Sequence, residues 1–256
     1  MVRLPGRLAF LTYERIWFWD GTPFHTQSDI LRYLRLTSSQ AAALGGHAEA
    51  NYTLISDLTE TEETLLGHMT KNYRYEIRRA AKEGASAEFF DAAALRADPA
   101  VLSDLEQTYM NFCDSLGNEA LKKDYSRKKV DSYLENDCIF LSRGSLGNAL
   151  VYHLYVTDGE TAVLCYSASD FRSADVDQNA AGRLNKFLHW ADMQKMRIQG
   201  VRTCDWGNVS SLTNYNGIDV FKAGFGGKPT TLYNMFVGDS HIGRLAVAMM
   251  SRRKGK

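Results

Sequence analysis

Residues 217–229 read GIDVFKAGFGGKP, and the fold turns on how this stretch is understood. Lys222 is wedged between Phe221 and a run in which Gly224, Gly226 and Gly227 crowd around Phe225. That is not the setting of an ordinary solvated surface charge. The ammonium can stabilise negative charge on a substrate, or it can pair with Asp205 or Asp219 and serve the fold. Both readings stay open on this segment alone. The glycines, lacking Cβ, permit a close backbone approach.

The surrounding pattern predicts a mixed, twisted sheet with helices on its faces, an α/β or α+β acyltransferase-like layout. Residues 1–55 are strand-rich, with RLAFLTYERIWFW, a turn at DGTPF, the mixed HTQSDILRYLRL and a flexible connection SSQAAALGGHAEA. NYTLISDL reads as a strand ending at Asp57, followed by one long helix, with a capping box from Thr59 to Glu62 and a stop at Gly84. A second amphipathic helix carries Leu102, Leu105, Tyr109 and Phe112 at helical spacing, and a polar helix surrounds YSRKKVDSYLEN. Strands CIFLSRG and NALVYHLYVTDGETAVLCYSAS follow, the latter a hairpin turning at Asp158-Gly159. The helix AAGRLNKFLHWADMQKMRIQG, the strand VRTCDWG, the short helix before Lys222 and the strand TTLYNMFVG complete the order. Residues 1–51 thus read as an extension, 52–240 as the main domain and 241–256 as a basic, mobile tail.

The 256 residues are 45% hydrophobic, enough for a sizeable core, and 30 basic side chains balance 30 acidic ones. With no global field to advertise a polyanion partner, any such site is a local patch. No apolar run is long enough to span a bilayer, and the opening segment lacks the pattern of a signal peptide. Cys113, Cys138, Cys165 and Cys204 are widely spaced, which fits free thiols in a reducing, cytoplasmic setting.

Three local patterns offer chemistry. Lys71, Arg74, Arg78 and Lys82 recur every three or four residues, so they form either a solvated helix face or a strip for phosphates. Tyr166, Ser167, Ser169 and Asp170 stand where a strand meets a loop, a frequent place for substrate contacts in α/β sheets. Asn179-Ala-Ala-Gly182-Arg183-Leu184 has the spacing of a pyrophosphate-binding turn of acyl-CoA transferases but departs from it at both ends. His68, His153 and His189 show no carboxylate partner at ligand spacing and read as surface or core residues. No metal or nucleophile motif occurs.

Three segments in order resemble the Fem family of non-ribosomal peptidyltransferases. LISDLTETEETLLGHMTKNYRYEIRRAAKEGA resembles that family's strand ending in Asp-Leu and its Arg-rich first helix. NKFLHWADMQKMRIQGVRTCDWGN resembles its helix with Asn, Leu and Trp, then the strand ending in Asp-aromatic-Gly-Gly, with Asn208 in place of the second glycine. GIDVFKAGFGGKP resembles its FKxxFGG signature. The resemblance covers roughly residues 52–237 and implies the GNAT-like acyltransferase fold, with residues 1–51 a remnant of a first subdomain.

It further implies transfer of an aminoacyl group from aminoacyl-tRNA to an amine, with aminoacyl-tRNA as co-substrate and no cofactor or metal. By this resemblance Lys222 stabilises the oxyanion or contacts the tRNA end, beside Phe221. Tyr166, Ser169, Asp205, Trp206 and Asn185 are then candidates to bind substrate, and Arg74, Arg78, Lys71 and Arg183 to bind tRNA or phosphate. The acceptor would be a peptide natural product or a peptidoglycan precursor, the antibiotic or cell-wall biosynthesis setting of such enzymes. An acyl-CoA-dependent N-acyltransferase and a non-catalytic peptide- or RNA-binding module are the competing readings.

Overall fold

A computed structural model describes residues 1–117, 119–172 and 175–253. In chain order the elements are β1 (Val2–Leu8), β2 (Leu11–Trp17), β3 (Ile30–Leu36), α1 (Ser38–Ala43), β4 (His47–Asp57), α2 (Glu62–His68), α3 (Lys71–Lys82), β5 (Ser86–Phe90), α4 (Ala92–Ala97), α5 (Ala100–Leu116), α6 (Glu119–Asp124), α7 (Arg127–Glu135), β6 (Ile139–Leu146), β7 (Ala149–Thr157), β8 (Thr161–Ser169), α8 (Gln178–Ile198), β9 (Thr203–Val209), α9 (Gly217–Ala223), β10 (Lys228–Gly238) and α10 (His241–Arg253). The chain divides into two compact units. One holds Met1–Leu54, Asn208–Asn216 and the chain from Pro229 on; the other holds Ile55–Gly207 and Gly217–Lys228. The division differs from the boundaries suggested by sequence, because the last strand and helix join the N-terminal strands rather than closing the middle of the chain.

In the first unit β1 and β2 form an antiparallel hairpin, β2 and β3 run parallel, and β10 lies antiparallel to β3 with β4 beyond it. Ile16, Leu31, Tyr33, Leu36 and Met235 form its core, with Trp19 and Phe24 packed against them. Glu14 is buried there, and its carboxylate is satisfied by Arg3 at 2.7 Å, Thr26 at 2.5 Å and Ser28 at 3.0 Å. The expected flexible connection contains a true helix: at α1, Thr37 and Gln40 make a reciprocal capping box. The expected mobile tail is largely α10. Ser240 accepts from the Gly243 amide at 3.0 Å and donates to Asp29 at 2.6 Å, and Val247 is buried.

In the second unit β5, β6, β7 and β8 pair antiparallel in succession, and β9 adds parallel to β8. Side chains alternate along β7. Val151, His153 and Tyr155 face α8, where Val151 packs with Leu184 and Leu188, while Tyr152 and Leu154 face the other side. Helix α5 covers β8, and α3 packs along α8. Gly144 on β6 lies under α8. A Cβ there would stand 3.1 Å from Leu184 Cδ1 and 3.3 Å from Leu188 Cδ2, so these side chains would have to give by a few tenths of an ångström, and by more for a branched residue. Gly144→Val is expected to destabilise the protein by about 1–3 kcal/mol through overpacking, measured by urea titration.

The single long helix expected after Asp57 is two. Met69 is extended, and the Thr70 side chain starts α3 by accepting from the Tyr73 amide. The cap of α2 is Thr61 rather than Thr59, which instead donates to Asp57 Oδ1 at 2.6 Å. Gly84 ends α3 with φ +89°, as the sequence predicts.

Candidate active site

The break between α2 and α3 exists to receive the Lys222 loop. The Thr70 amide donates to Gly224 O at 3.0 Å, and the Tyr73 hydroxyl donates to Phe221 O at 3.0 Å. A Cβ on Gly224 would lie 2.4 Å from the Tyr73 ring, and one on Gly226 (φ +81°) would lie 2.4 Å from His68 O. The glycines therefore let this loop seat against α2 and α3, which is the close approach the signature needs. Burial and the nearby Glu76 raise the Tyr73 phenol to about 12, so it stays a donor.

Beneath the loop lies an aromatic stack. Trp206 and Phe225 are parallel at 4.4 Å, Tyr73 meets Phe225 edge-on at 4.9 Å, and Phe221 lies 5.7 Å from the His189 ring. Lys186 places its ammonium over Tyr73 and Phe221, at 5.0 and 5.7 Å from the ring centres, while forming an ion pair with Glu76 at 2.8 Å. The half-buried Lys222 sends Nζ to Gly207 at the end of the unit's β9 segment, 3.6 Å from where a Cβ would be. Gly207 has φ +73°, and a Cβ would also collide with Leu164 O at 2.6 Å. Asp205 fixes this turn by accepting from the Gly207 amide at 2.9 Å.

A polar cluster of five side chains supports the stack. His153 Nδ1 meets Asp192 Oδ2 at 2.7 Å, and His153 Nε2 meets Asn185 Oδ1 at 2.9 Å. The Tyr155 hydroxyl donates to Asp192 Oδ2 at 2.9 Å and sits 3.2 Å from His189 Nδ1. Since that hydroxyl has one proton, committed to Asp192, its oxygen accepts from His189, which makes His189 the Nδ1–H tautomer. Burial is the main force that holds His189 neutral; His153, Lys222 and Lys186 add to it.

His153, His189 and Asp192 offer three potential ligand atoms within 4.8 Å of one another. However, the two imidazoles are stacked at 3.7 Å with 16° between their planes. Imidazole lone pairs lie in the ring plane, so these two cannot converge on one ion, and the cluster is a hydrogen-bonded support rather than a metal cage.

The neutral state of His189 has a pH signature. Its folded pKa lies below that of the unfolded chain, so its contribution to stability is present above about 6.5 and is lost as pH falls further. Thermal melts are expected to drop on acidification below that value, with a shallower slope in His189→Gln. Equal slopes would remove His189 from the acid response.

The residues expected from sequence are distributed unevenly. Lys222, Phe221, Asp205, Trp206 and Asn185 belong to this one region, but Trp206 is buried and donates to Ser56 at 2.9 Å, and Asn185 holds His153. Tyr166 opposes Leu154 in register and so faces α5, where it is buried against Tyr109 and Tyr125 and donates to Asp124 O at 3.3 Å. Tyr166→Phe should leave any transfer rate within a few-fold of the parent in a steady-state assay. Ser169 is buried at the end of β8 opposite Val151.

Among the cations, Arg74 Nη1 donates to the carbonyls of Leu66, Gly67 and Met69, which caps the end of α2. Arg183 is buried and paired with Glu83 at 2.9 Å. Lys71 and Arg78 are exposed. Arg78 and Arg74 line a surface cavity of about 500 Å³ together with Glu62 and Glu63, carboxylates that oppose an anion there.

The expectation that the histidines lack a carboxylate is corrected. Asn185, His189 and Asp192 fall at spacings of four and three on α8, a polar stripe on one helix face that was available in the sequence. What hid its meaning is that His153 and Tyr155 come from β7, so the partners meet only in the fold. Lys186 and Tyr73 carry no motif signal at all. The departure at Asn208 also has a local use, since it accepts from Arg35 at 2.8 Å within the first unit.

No protein-family profile matches the sequence, and no curated protein matches it either. Solved structures do. FemX superposes with a TM-score of 0.60 at 12% identity, over 91% of this chain and 83% of that one. A C-terminal domain assigned to a lysylphosphatidylglycerol synthetase of Agrobacterium fabrum superposes with a TM-score of 0.57 at 16% identity, over 98% and 84%. The chain therefore shares the mixed α/β fold of these two structures, a large twisted mixed sheet flanked by helices.

Proposed function

We propose that the chain is an aminoacyltransferase that takes its aminoacyl group from aminoacyl-tRNA and joins it to an amine of a peptide or peptidoglycan precursor. The observation that carries this reading is the position of Lys222. Its ammonium stands at the Gly207 turn, on a loop hydrogen-bonded to α3. The fold shared with FemX and the ordered sequence resemblance support the same donor.

The chemistry asks little more. An aminoacyl ester is already activated, so the protein supplies orientation and charge stabilisation. The neutral amine attacks the ester carbonyl, Lys222 stabilises the resulting oxyanion, and collapse breaks the bond to the ribose oxygen, which takes up the proton released by the amine directly or through water. Phe221 offers a ring face for the terminal adenosine. A reducing cytoplasmic setting accords with this donor; all four cysteines are free, and no helix among the described residues is long and apolar enough to cross a membrane.

An acyl-CoA donor is disfavoured by the start of α8. Asp177 caps it by accepting from the Asn179 amide at 2.8 Å, and Asp175 and Glu83 line the adjacent cavity, so a pyrophosphate would meet carboxylates. Incubation with a mixture of labelled aminoacyl-tRNAs and candidate amines, followed by mass spectrometry, tests the proposal. An amide-linked product supports it. Transfer from acyl-CoA alone, or RNA binding with no transfer to any amine, would replace it with one of the two competing readings.

A further inference from the structure

Helix α10 has an inside and an outside that do not match those of an ordinary surface helix. Its inner face is fixed. Gly243 packs so closely on β3's leading turn that a Cβ would overlap Asp29 O; the Arg244 amide donates to Ser240 O at 2.9 Å; and Val247 is buried. With that face committed, the outward one should be polar. Instead Ile242, Leu245 and Met249 stand 55%, 64% and 53% exposed, at spacings of three and four that align them in one stripe.

The charge of the helix and of the sequence after it has one sign. From residue 241 on, the sequence contains Arg244, Arg252, Arg253, Lys254 and Lys256 and no acidic residue, although the whole chain is balanced. Arg244 and Arg252 are exposed on the helix itself. An apolar stripe on a helix that also exposes the Arg244 and Arg252 guanidinium groups matches the boundary of an anionic lipid bilayer. The side chains enter the acyl edge while the cations meet headgroup phosphates. A second copy fits poorly, since a two-fold contact through this face would set like charges against each other. RNA would satisfy the cations and leave the stripe in water.

We propose that α10 is a peripheral docking surface for anionic membranes, lying in the plane of the interface and holding the otherwise water-exposed protein there. The proposal is independent of the transfer reaction. The test is co-sedimentation of the full chain with vesicles of phosphatidylcholine alone or mixed in equal parts with phosphatidylserine, at low and high salt.

The expected result is partition onto the anionic vesicles at least about tenfold above the neutral ones, weakened by salt. Leu245→Glu/Met249→Glu and Arg244→Glu/Arg252→Glu should each reduce it by a similar factor, with unchanged circular dichroism and melting, because the side chains replaced in both pairs are exposed. Four results would overturn it: no sedimentation; equal partition on both vesicles; a dimer by light scattering that Leu245→Glu dissolves; or tRNA binding that Leu245→Glu removes.

Discussion

Lys222→Ala is expected to lower the transfer rate by about 10²–10³-fold, the scale on which removal of a single oxyanion donor acts, while leaving the melting temperature close to that of the parent. The loss should fall on kcat and kcat/KM alike, since the contact strengthens only as the carbonyl oxygen becomes anionic. Lys222→Arg keeps the charge but replaces a compact ammonium with a planar fork, which cannot set the same point charge at the oxyanion. It should recover only a small part of the rate. Steady-state kinetics with one identified aminoacyl-tRNA and amine pair would show this. Full activity in a folded Lys222→Ala protein would remove the lysine from the reaction and leave it as a fold element.

The second large effect concerns stability. Asp192→Ala is expected to cost about 3–5 kcal/mol, because Asp192 is buried and one oxygen receives both His153 Nδ1 at 2.7 Å and the Tyr155 hydroxyl at 2.9 Å. Its removal strands two buried polar groups under the α8 helix and leaves a cavity beside the stacked histidines. For a protein of this size that corresponds to a fall in melting temperature of roughly 10 °C. Asp192→Asn, which can still accept both hydrogen bonds, should lose clearly less. Guanidinium titration of both variants separates the two. A near-neutral Asp192→Ala would mean that this polar cluster contributes nothing to holding β7 on α8.

These two expectations also show what could be read in the sequence. The Lys222 loop was legible because its glycines are forced. Gly224 and Gly226 have no room for a side chain against Tyr73 and His68, so the signature is written in residue types. The strand and helix order was legible for the same kind of reason, through the Gly84 and Asp158-Gly159 stops. The break at Met69 was not. The acidic start and basic end of 59–84 suit a single helix, and only the docking of Gly224 on Thr70 explains why the chain is extended there.

The site was legible in part. Arg74 and Arg183 have the spacing and charge of phosphate ligands, yet one caps α2 and the other pairs with Glu83, uses that depend on neighbours remote in sequence. Tyr166 was placed by its position at a strand end, but the irregular register between Leu154 and Tyr155 and the pairing with Leu154 turn it toward α5. Helix α10 was hidden by its basic end, which reads as a tail until Gly243 and Val247 are seen against β3.

The most direct test of the central claim is a crystal structure of the protein with a 3′-amide analogue of aminoacyl-adenosine, which cannot be cleaved. The adenine is expected against Phe221 and the aminoacyl carbonyl oxygen within about 3 Å of Lys222 Nζ. An analogue bound with its carbonyl turned away from that ammonium, or seated elsewhere on the protein, would contradict it.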